Sequence, residues 1–331
     1  MGNKKIIIVG FGFMGQNHAK NILKNGTLEL AAIVDAVDPK IALKKSASGN
    51  LDLGALNEEF IAHVPYFSDL SEAIAAVKPD AVLVAAPTML HYKFAKTALE
   101  AGCNLFLEKP ICLDIALCEE LVSLAKAKGL VFMAGHCVRF TPEFQFLKKA
   151  VEENTYGKPQ YLHFSRYSGI PAWGCWTDPE VSSKSGGAMF DMAIHDSDCA
   201  RALFGNPDEL SMMPYLRERF GLMVVDSVWK YNDGPVVRVE AGFLAPPSLP
   251  FHREFTAVFE NASVVCDMNG MRLSDKDGVH EIKLDAIDPY AAEIDAFAEY
   301  LQKGEMPMDC SGADAMATIR ICRRMFDFNH S

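Results

Sequence analysis

The chain has 331 residues, half of them hydrophobic, with a formal net charge of −11 at pH 7. This length exceeds what one hydrophobic core usually fills, so two domains are expected. The acidic balance argues against nucleic acid or an anionic membrane surface as the main partner. Nine cysteines without a CxxC pair are typical of reduced thiols in a cytoplasmic protein, rather than of a disulfide framework or a thiolate zinc site.

Short apolar runs alternate with helical patterns from residue 4 to about residue 135. The runs are IIIVG, LELAAIV at 28–34, AVLVAA at 81–86, NLFLE at 104–108 and LVFMAG at 130–135. Glycines interrupt the first run and no small-residue cleavage site follows it, so it indicates a buried strand rather than a signal peptide. Near-continuous apolar strands separated by helices predict a parallel, doubly wound sheet. We predict no element between Ser46 and Tyr66.

The second half of the chain has a different pattern. It predicts a long strand at 159–167, a helix over GGAMFDMAIHD at 186–196, and closing helices at about 289–302 and 313–326. Between these helices lie the strand-like runs SVWKY, VVRVEAGF, HREFTAVFE, ASVVCDM and HEIKL. Turn residues separate the runs, so an antiparallel meander is expected. The α/β chain would then divide into a parallel-sheet domain over 1–136 and an α+β domain, with a large and mainly antiparallel open sheet, over 137–331.

The motif GFGFMG follows the first predicted strand and precedes a helix. Gly10 would permit the tight turn, Gly12 the approach of a pyrophosphate, and Gly15 close packing of helix on strand. Asp35 ends the second predicted strand, where a carboxylate can accept hydrogen bonds from an adenosine ribose. A glycine-rich turn beside a solvated aspartate is the alternative.

Asp35 also bears on the choice of cofactor. A carboxylate repels a 2′-phosphate, which favours NAD over NADP. Asp38 is a competing candidate if the strand ends later. Nearby lysines keep NADP possible; they are Lys40, Lys44 and Lys45.

The segment FLEKP contains Glu108 and Lys109 at the end of the apolar run NLFLE. Ligands of parallel sheets bind outside the carboxyl ends of the strands, so Lys109 would point into the cofactor crevice and polarise a substrate oxygen. A local surface ion pair between Glu108 and Lys109 is the alternative.

Asp191 and His195 are four residues apart in the predicted helix, which would place them side by side with Asp198 one turn further on. A carboxylate beside an imidazole can orient a group that moves a proton, although such pairs are also common on ordinary helices. A metal site built from these residues and Asp196 is disfavoured, because Asp196 points off the stripe and no outside ligand is evident. We therefore predict no metal.

Taken together, these motifs resemble a known family. The chain combines GxGxxG and Asp35 with PTMLH at 87–91, AGCNLFLEKP at 101–110, GHCVRF at 135–140 and GGxxxDxxxHDxD at 186–198. In this order they resemble the Gfo/Idh/MocA oxidoreductases, the family of glucose-fructose oxidoreductase and inositol dehydrogenase. The resemblance runs from residue 5 to about residue 326. It implies a Rossmann domain followed by a substrate-binding and oligomerisation domain, and a homodimer or homotetramer joined through the open sheet.

The resemblance also implies residue roles for hydride transfer between NAD(P) and a hydroxyl or keto group of a sugar, inositol or related polyol. Lys109 would hold the substrate oxygen, and His195 would exchange a proton with the reacting hydroxyl. Asp191 would orient either the His195 imidazole or the substrate. The cofactor-binding set would be Gly10, Phe11, Gly12, Phe13, Met14, Gly15, Asp35, Ala86, Pro87, His91, Glu108 and Lys109. The substrate-binding set would be Lys109, His136, Arg139, Trp173, Trp176, Asp191 and His195.

Several of these residues have alternative interpretations. The tryptophans could instead be domain-interface core, and Arg139 could pair with a carboxylate. His91 and His136 could be ordinary structural histidines. The turn Ala86-Pro87-Thr88 stands where the family commonly has Thr-Pro-Asn, so no particular member's substrate is assigned. An NAD-dependent glycosidase acting through transient oxidation and a non-catalytic NAD or sugar sensor remain as alternatives.

Overall fold

A computed structural model describes residues 2–44, 56, 58–172, 174–213, 217–218, 221–222, 224–244 and 246–328. The helices are α1 Phe13–Lys24, α2 Pro39–Lys44, α3 Glu58–Ile61, α4 Leu70–Val77, α5 His91–Glu100, α6 Ile115–Lys128, α7 Pro142–Glu152, α8 Pro179–Ser183, α9 Ile194–Phe204, α10 Pro289–Lys303 and α11 Gly312–Phe328. A π-helical turn at Met189–Ala193 leads into α9, and 3-10 turns occur at Thr88–Leu90, Cys137–Phe140 and Gly174–Thr177.

The strands are β1 Lys4–Val9, β2 Leu28–Val34, β3 Tyr66–Phe67, β4 Ala81–Val84, β5 Asn104–Glu108, β6 Phe132–Gly135, β7 Pro159–Gly169, β8 Glu209–Met212, β9 Arg217–Glu218, β10 Gly221–Leu222, β11 Val224–Lys230, β12 Val236–Leu244, β13 His252–Phe259, β14 Ala262–Asp267, β15 Gly270–Asp275 and β16 Gly278–Ile282.

The first sheet is parallel and has the order β3-β2-β1-β4-β5-β6. Its central strands are buried along their length because helices cover both faces. The strand order reverses at β1, whose neighbours are β2 and β4. Ligands of such sheets bind outside the carboxyl ends of the strands at this position. The predicted doubly wound sheet is confirmed. The sequence prediction did not include α3, β3 and α4, and α3 lies between Ser46 and Tyr66, where no element was expected.

Helix boundaries in this part of the chain follow local capping. Asp69 and Asp114 accept hydrogen bonds from the first backbone N–H groups of α4 and α6. Gly129 ends α6 in the left-handed conformation. These caps fix where each helix starts and stops, and therefore where the sheet-edge loops lie.

The second large sheet has the order β16-β15-β14-β13-β7-β12-β11-β8. The large, mainly antiparallel sheet is confirmed, but the expected continuous meander is wrong at its centre. There β7 lies between β13 and β12, and it pairs in parallel with β12. Turn residues mark local reversals only, whereas β7 reaches its place by long-range pairing. The sequence prediction also lacked β8 and β15.

Side chains alternate across this second sheet. In β12, Val237, Val239 and Ala241 are buried on the face that carries α9, whereas Arg238 and Glu240 lie on the other face and are half-buried. Arg238 donates two hydrogen bonds to Asp226 of β11 on that face. The sheet therefore has one apolar face and one face of paired charges.

The chain divides into two compact units. The first contains Met1–Cys137, Pro289–Ala317 and a short segment that includes Trp176, and the second contains most of the remainder. Helix α10 joins the first unit because it packs against α1 and β1, and its Phe297 meets Phe106 of β5 edge-on at 5.4 Å. The boundary predicted after residue 136 divides the chain once, so it does not assign the segment Pro289–Ala317 to the first unit. The predicted domain roles stay predictions. Among the helices that the structure describes, none has the length and apolar character needed to cross a membrane.

Candidate active site

The glycine-rich loop connects β1 to α1 in the first unit. Gly10 has φ +88°, and a Cβ there would lie 2.6 Å from the Ala86 nitrogen. A Cβ on Gly15 would lie 1.9 Å from the Gly10 carbonyl oxygen, so the helix can approach the loop only with glycine at this position. Gly12, at the N-cap of α1, has open space around its Cβ direction. This loop leaves room for an anionic group at the N-terminus of α1.

Asp35 follows β2 and stabilises the same loop. Its carboxylate accepts hydrogen bonds from the Phe11 N–H at 2.6 Å and from the Val37 N–H at 2.8 Å. The Phe11 side chain is fully buried, so only its backbone faces the loop, while Phe13 and Met14 are half-buried in the first turn of α1. Open space at Gly12 and a carboxylate after β2 are the features that a dinucleotide requires. The residues present therefore fit this cofactor.

His91 supports the loop that follows β4. Its Nδ1 lies 2.8 Å from the Pro110 carbonyl oxygen and its Nε2 lies 2.7 Å from the Ala86 carbonyl oxygen. Burial lowers the pKa of His91, although both carbonyls and the Glu108 charge oppose the shift. The sequence placed His91 with the cofactor-binding residues. Its buried ring ties the turn after β4 to the turn after β5, with Ala86 and Pro87 at the accessible edge, and its role in cofactor binding stays a prediction.

Lys109 follows β5 and is half-buried, and the Lys109–Pro110 peptide is cis. The preceding side chain, Glu108, is buried and accepts from the Lys109 N–H at 3.1 Å. Its other oxygen lies 2.6 Å from His18 Nε2. Glu108 was expected to bind the cofactor, and this role stays a prediction; its carboxylate is directed into the unit, towards His18. Lys109 remains at the sheet edge that carries the glycine loop.

The Glu108 carboxyl is held in its charged form. Burial favours the neutral acid, but the His18 hydrogen bond and the charges of His18 and Lys109 outweigh burial and lower the pKa of Glu108. Glu293 of α10 is fully buried beside this pair, and ligand atoms of all three residues lie within 4.8 Å of one another. Such spacing suits a metal ion, yet the short His18–Glu108 bond already occupies one ligand atom of each residue.

Asp191 and His195 lie in the second unit, on a segment that is otherwise buried. From Gly187 to Ala200, they alone are half-exposed. The helix expected here begins as a π-helical turn at Met189–Ala193, which contains Asp191, and becomes α-helical at Ile194. A π-turn is wider than an α-turn, so the simple i, i+4 geometry does not apply across it. Both side chains nonetheless reach the accessible side of this segment.

The other acidic residues of α9 are engaged in buried ion pairs. Asp196 accepts two hydrogen bonds from Arg166 at 2.8 and 2.9 Å. Asp198 accepts two from Arg139 at 2.5 and 2.7 Å and a third from the Thr318 hydroxyl. For Arg139, the structure shows the carboxylate pairing that the sequence left as an alternative to substrate binding. Asp198 is therefore part of a buried ion pair, and it does not extend the row of candidate catalytic side chains formed by Asp191 and His195.

The remaining candidates are the residues predicted to bind the substrate, His136, Trp173 and Trp176. His136 is buried directly after β6 in the first unit, and Trp176 is half-buried in the 3-10 turn Gly174–Thr177. Trp173 lies outside the described residues. Sequence reasoning missed His18, whose signal was available: it falls on the buried stripe of α1 between Gly15 and Ile22, where a histidine needs a polar partner.

Comparisons with known proteins identify the family and the fold. Residues 4–136 match the model of the oxidoreductase family with an NAD-binding Rossmann fold, and residues 144–265 match the GFO/IDH/MocA C-terminal domain. The first unit thus carries an NAD-binding Rossmann fold. An Agrobacterium radiobacter oxidoreductase, solved with NAD+, L-tartaric acid and magnesium, shares the fold with a TM-score of 0.83 and 18% identity, over 99% of this chain and 97% of that one.

Two curated relatives are similar in sequence over part of their length. A 2,7-anhydro-N-acetylneuraminate hydratase from Mediterraneibacter gnavus is 32% identical over 206 residues, which are 62% of this chain and 50% of the relative. A myo-inositol 2-dehydrogenase from Thermotoga maritima is 29% identical over 205 residues, which are 62% of this chain and 56% of the relative. These alignments therefore span about half of each relative. With both family models matched, the chain belongs to the Gfo/Idh/MocA oxidoreductase family.

Proposed function

We propose that the protein is an NAD(P)-dependent oxidoreductase that transfers a hydride between the nicotinamide and a secondary hydroxyl or keto group of a sugar, inositol or related polyol. The observation that carries this proposal is the placement of Lys109 directly after β5, at the sheet edge that also holds the glycine loop. A fixed ammonium there suits a substrate oxygen next to a bound dinucleotide.

Each of the proposed residues has a separate task. The loop from Gly10 to Gly15 and Asp35 hold the cofactor, with Ala86 and Pro87 at the neighbouring edge. Lys109 donates a hydrogen bond to the reacting oxygen. His195 takes the hydroxyl proton during oxidation and returns it during reduction, and Asp191 orients His195 or the substrate. When bound, the nicotinamide supplies the hydride acceptor or donor.

The substrate class rests on chemistry and on similarity. Oxidation at a secondary alcohol removes a hydride from carbon and a proton from oxygen, which gives a ketone. The similarity to a myo-inositol 2-dehydrogenase supports a cyclic polyol or sugar. Trp176 offers an aromatic face of the kind that packs on the C–H surface of a sugar ring.

Asp35 supports NAD as the preferred form of the cofactor, because a 2′-phosphate would meet a carboxylate that already accepts two backbone N–H groups. We also infer a homodimer or homotetramer, since the half-buried face of the second sheet is broad and carries paired charges. Sedimentation at micromolar concentration tests this, and a monomer would contradict it. The odd number of cysteines supports a reducing, cytoplasmic location.

A second candidate is a reaction that uses transient oxidation. A hydratase adds water without a net change in redox state, and one such enzyme is 32% identical to part of this chain. A protein of this kind would oxidise its substrate, complete the addition or elimination, and reduce the product with the same cofactor molecule. A glycosidase would work by the same logic. Stoichiometric cofactor retained through purification would favour this candidate.

The test begins with titrations of the purified protein with NADH and NADPH. Absorbance of the reduced nicotinamide is then followed across inositols, aldoses, ketoses and lactones. Tight NADH binding with turnover of one compound supports the dehydrogenase, and His195→Ala should abolish most turnover while keeping cofactor affinity. Conversion of an anhydro or glycosidic substrate without net NADH change would replace it with the second candidate. NADH binding without either reaction would favour a sensor.

A further inference from the structure

We propose that His18 is a positioning residue for Lys109 and acts through the Glu108 carboxylate. This inference rests on the proposed function, in which Lys109 contacts the reacting oxygen. His18 itself is fully buried on α1 and is 90 residues from Glu108 in the chain, so only the fold brings the two together. It is a supporting group rather than a catalytic residue.

The carboxylate joins His18 to the backbone of Lys109. Glu108 Oε1 lies 2.6 Å from His18 Nε2, and Glu108 Oε2 accepts from the Lys109 N–H at 3.1 Å. The His18 side chain is 0% exposed and the Glu108 side chain 10% exposed. A charge-assisted bond in such a site is short and directional. It therefore fixes the Glu108 carboxylate, which in turn accepts the backbone N–H of Lys109.

The surroundings keep both partners in place. A Cβ on Gly135 would lie 3.2 Å from Glu108 Cδ and Oε2, so glycine leaves just the room that the carboxylate fills. The His18 ring packs edge-on against Phe106, with centroids 5.3 Å apart, and Phe106 packs in turn against Phe297. Rotation of the imidazole away from Glu108 would disturb this packing.

The other side of Lys109 is also held. His91 lies within hydrogen-bonding distance of the Pro110 carbonyl oxygen, one residue beyond Lys109. The backbone is thus fixed before Lys109 by Glu108 and after it by His91. A supporting shell of this kind keeps a reacting group within a fraction of an ångström of its working position.

Loss of the His18 donor would change both position and charge. A buried carboxylate without its partner takes up a proton, because burial disfavours the charged form. The neutral acid would bind the Lys109 N–H more weakly and would no longer favour the ammonium form of Lys109. We therefore expect slower turnover at an unchanged affinity for NADH, since the glycine loop and Asp35 make no use of this bond.

The test compares four variants. His18→Leu removes the donor, whereas His18→Gln places an amide N–H where Nε2 now lies. Asn21→Leu is the matched control: Asn21 is also buried on α1, and Leu replaces a polar side chain of similar size. Lys109→Ala reports on the proposed function itself. Thermal unfolding and circular dichroism verify that each variant is folded. If His18→Leu does not fold, His18→Asn, whose amide is too short to reach Glu108, takes its place.

We expect His18→Leu to lower kcat by about 10- to 100-fold with the Kd for NADH changed less than about threefold. His18→Gln should recover most of kcat, and Asn21→Leu should keep it. Equal kcat in His18→Leu and Asn21→Leu would overturn the inference, as would a His18→Gln variant no better than His18→Leu. If Lys109→Ala itself retains full turnover, the proposed function fails, whatever the His18 variants do.

A second readout needs no substrate. Acetic anhydride acylates neutral amines, so the rate at Lys109, followed by peptide mass mapping, reports the position and protonation of its side chain. Lys93 in the same unit is the internal reference. We expect acylation of Lys109 to be about threefold faster or more in His18→Leu, and unchanged in Asn21→Leu. An unchanged Lys109 rate in His18→Leu would contradict the inference.

Discussion

Arg139 and Asp198 form a buried, two-bond ion pair, although 59 residues separate them in the chain. Their side chains are 6% and 1% exposed, and the Thr318 hydroxyl adds a third hydrogen bond to the carboxylate. The pair anchors α9, which contains His195 and follows directly from the π-helical turn that carries Asp191. The support of this segment can therefore be tested separately from its chemistry.

Asp198→Asn should destabilise the protein by about 3 kcal/mol or more, because it leaves the Arg139 guanidinium buried without a full counter-charge. Urea unfolding checks the loss. Glu209→Gln is the matched control, since the Lys230–Glu209 pair is exposed and its loss should cost less than about 1 kcal/mol. Equal costs at the two sites would contradict the supporting role of the buried pair.

Gly15→Ala should reduce both stability and NADH binding, whereas Gly12→Ala should reduce NADH binding alone. At Gly15 the new methyl group would meet the Gly10 carbonyl oxygen at 1.9 Å, so we expect about 3 kcal/mol of destabilisation together with loss of NADH binding. At Gly12 the new methyl group would have no described residue within 4 Å beyond its chain neighbours and its own helix. There we expect a near-normal thermal midpoint and weaker NADH binding, because the methyl group enters the space proposed for the pyrophosphate.

Gly26→Ala is the control for both loop variants, because its added methyl group also meets nothing and lies in an exposed turn. Fluorescence titration with NADH and thermal unfolding give the two readouts. If Gly12→Ala binds NADH as tightly as Gly26→Ala does, the pyrophosphate does not approach this loop.

Asp35→Ser should weaken NADH binding by about tenfold or more and reduce the preference over NADPH. The carboxylate is the proposed partner of the adenosine ribose, and hydrogen bonds to a charged group contribute about 1.5–3 kcal/mol. Separate titrations with NADH and NADPH measure the change. Because Asp35 also orders the Phe11 N–H, unfolding is measured in parallel. An unaltered NADH-to-NADPH affinity ratio would remove Asp35 from cofactor selection.

His195→Ala should lower kcat by about 10²- to 10⁴-fold, the usual contribution of a general acid or base, while the Kd for NADH stays within about threefold. His280→Ala, an exposed histidine on β16, is the control and should keep full activity. Steady-state rates on the substrate identified by the panel provide the comparison. Full turnover by His195→Ala would exclude its proposed proton transfer.

The stability of the protein should depend on pH through His91. Burial lowers the pKa of His91 below its ordinary value of 6.5, so the unfolded chain takes up a proton that the folded chain refuses. The free energy of unfolding contributed by His91 is therefore full above about pH 6.5 and falls as pH decreases below it. Urea unfolding of wild type and His91→Gln from pH 7.5 to 5 measures this difference. A constant difference would contradict the lowered pKa.

The local patterns predicted the first sheet well. Buried apolar strands, glycines at a strand end and the EKP turn are set by residues close together in sequence, and the structure places Gly10 and Lys109 at the carboxyl ends of β1 and β5. Helix α10 also lies where its period indicates. Its return to the first unit could not be predicted, because the period shows an apolar face but not which surface covers it.

The sequence does not distinguish the environments of the acidic residues in the second half of the chain. Asp191, Asp196 and Asp198 have the same chemistry in the sequence, yet only Asp191 is half-exposed, whereas the other two meet Arg166 and Arg139. A long-range partner decides whether a carboxylate becomes part of a buried ion pair. The π-turn before α9 likewise has no sequence period of its own.

The sequence by itself determined the doubly wound fold, the nucleotide loop and the family, because strand periodicity and glycine conformation are local properties. Only the tertiary structure decided that β7 separates β12 from β13, that His91 joins the turns after β4 and β5, and that Glu108 faces His18. These features depend on contacts between distant residues. A buried polar group takes whichever partner the fold brings within hydrogen-bonding distance, and no local pattern contains that information.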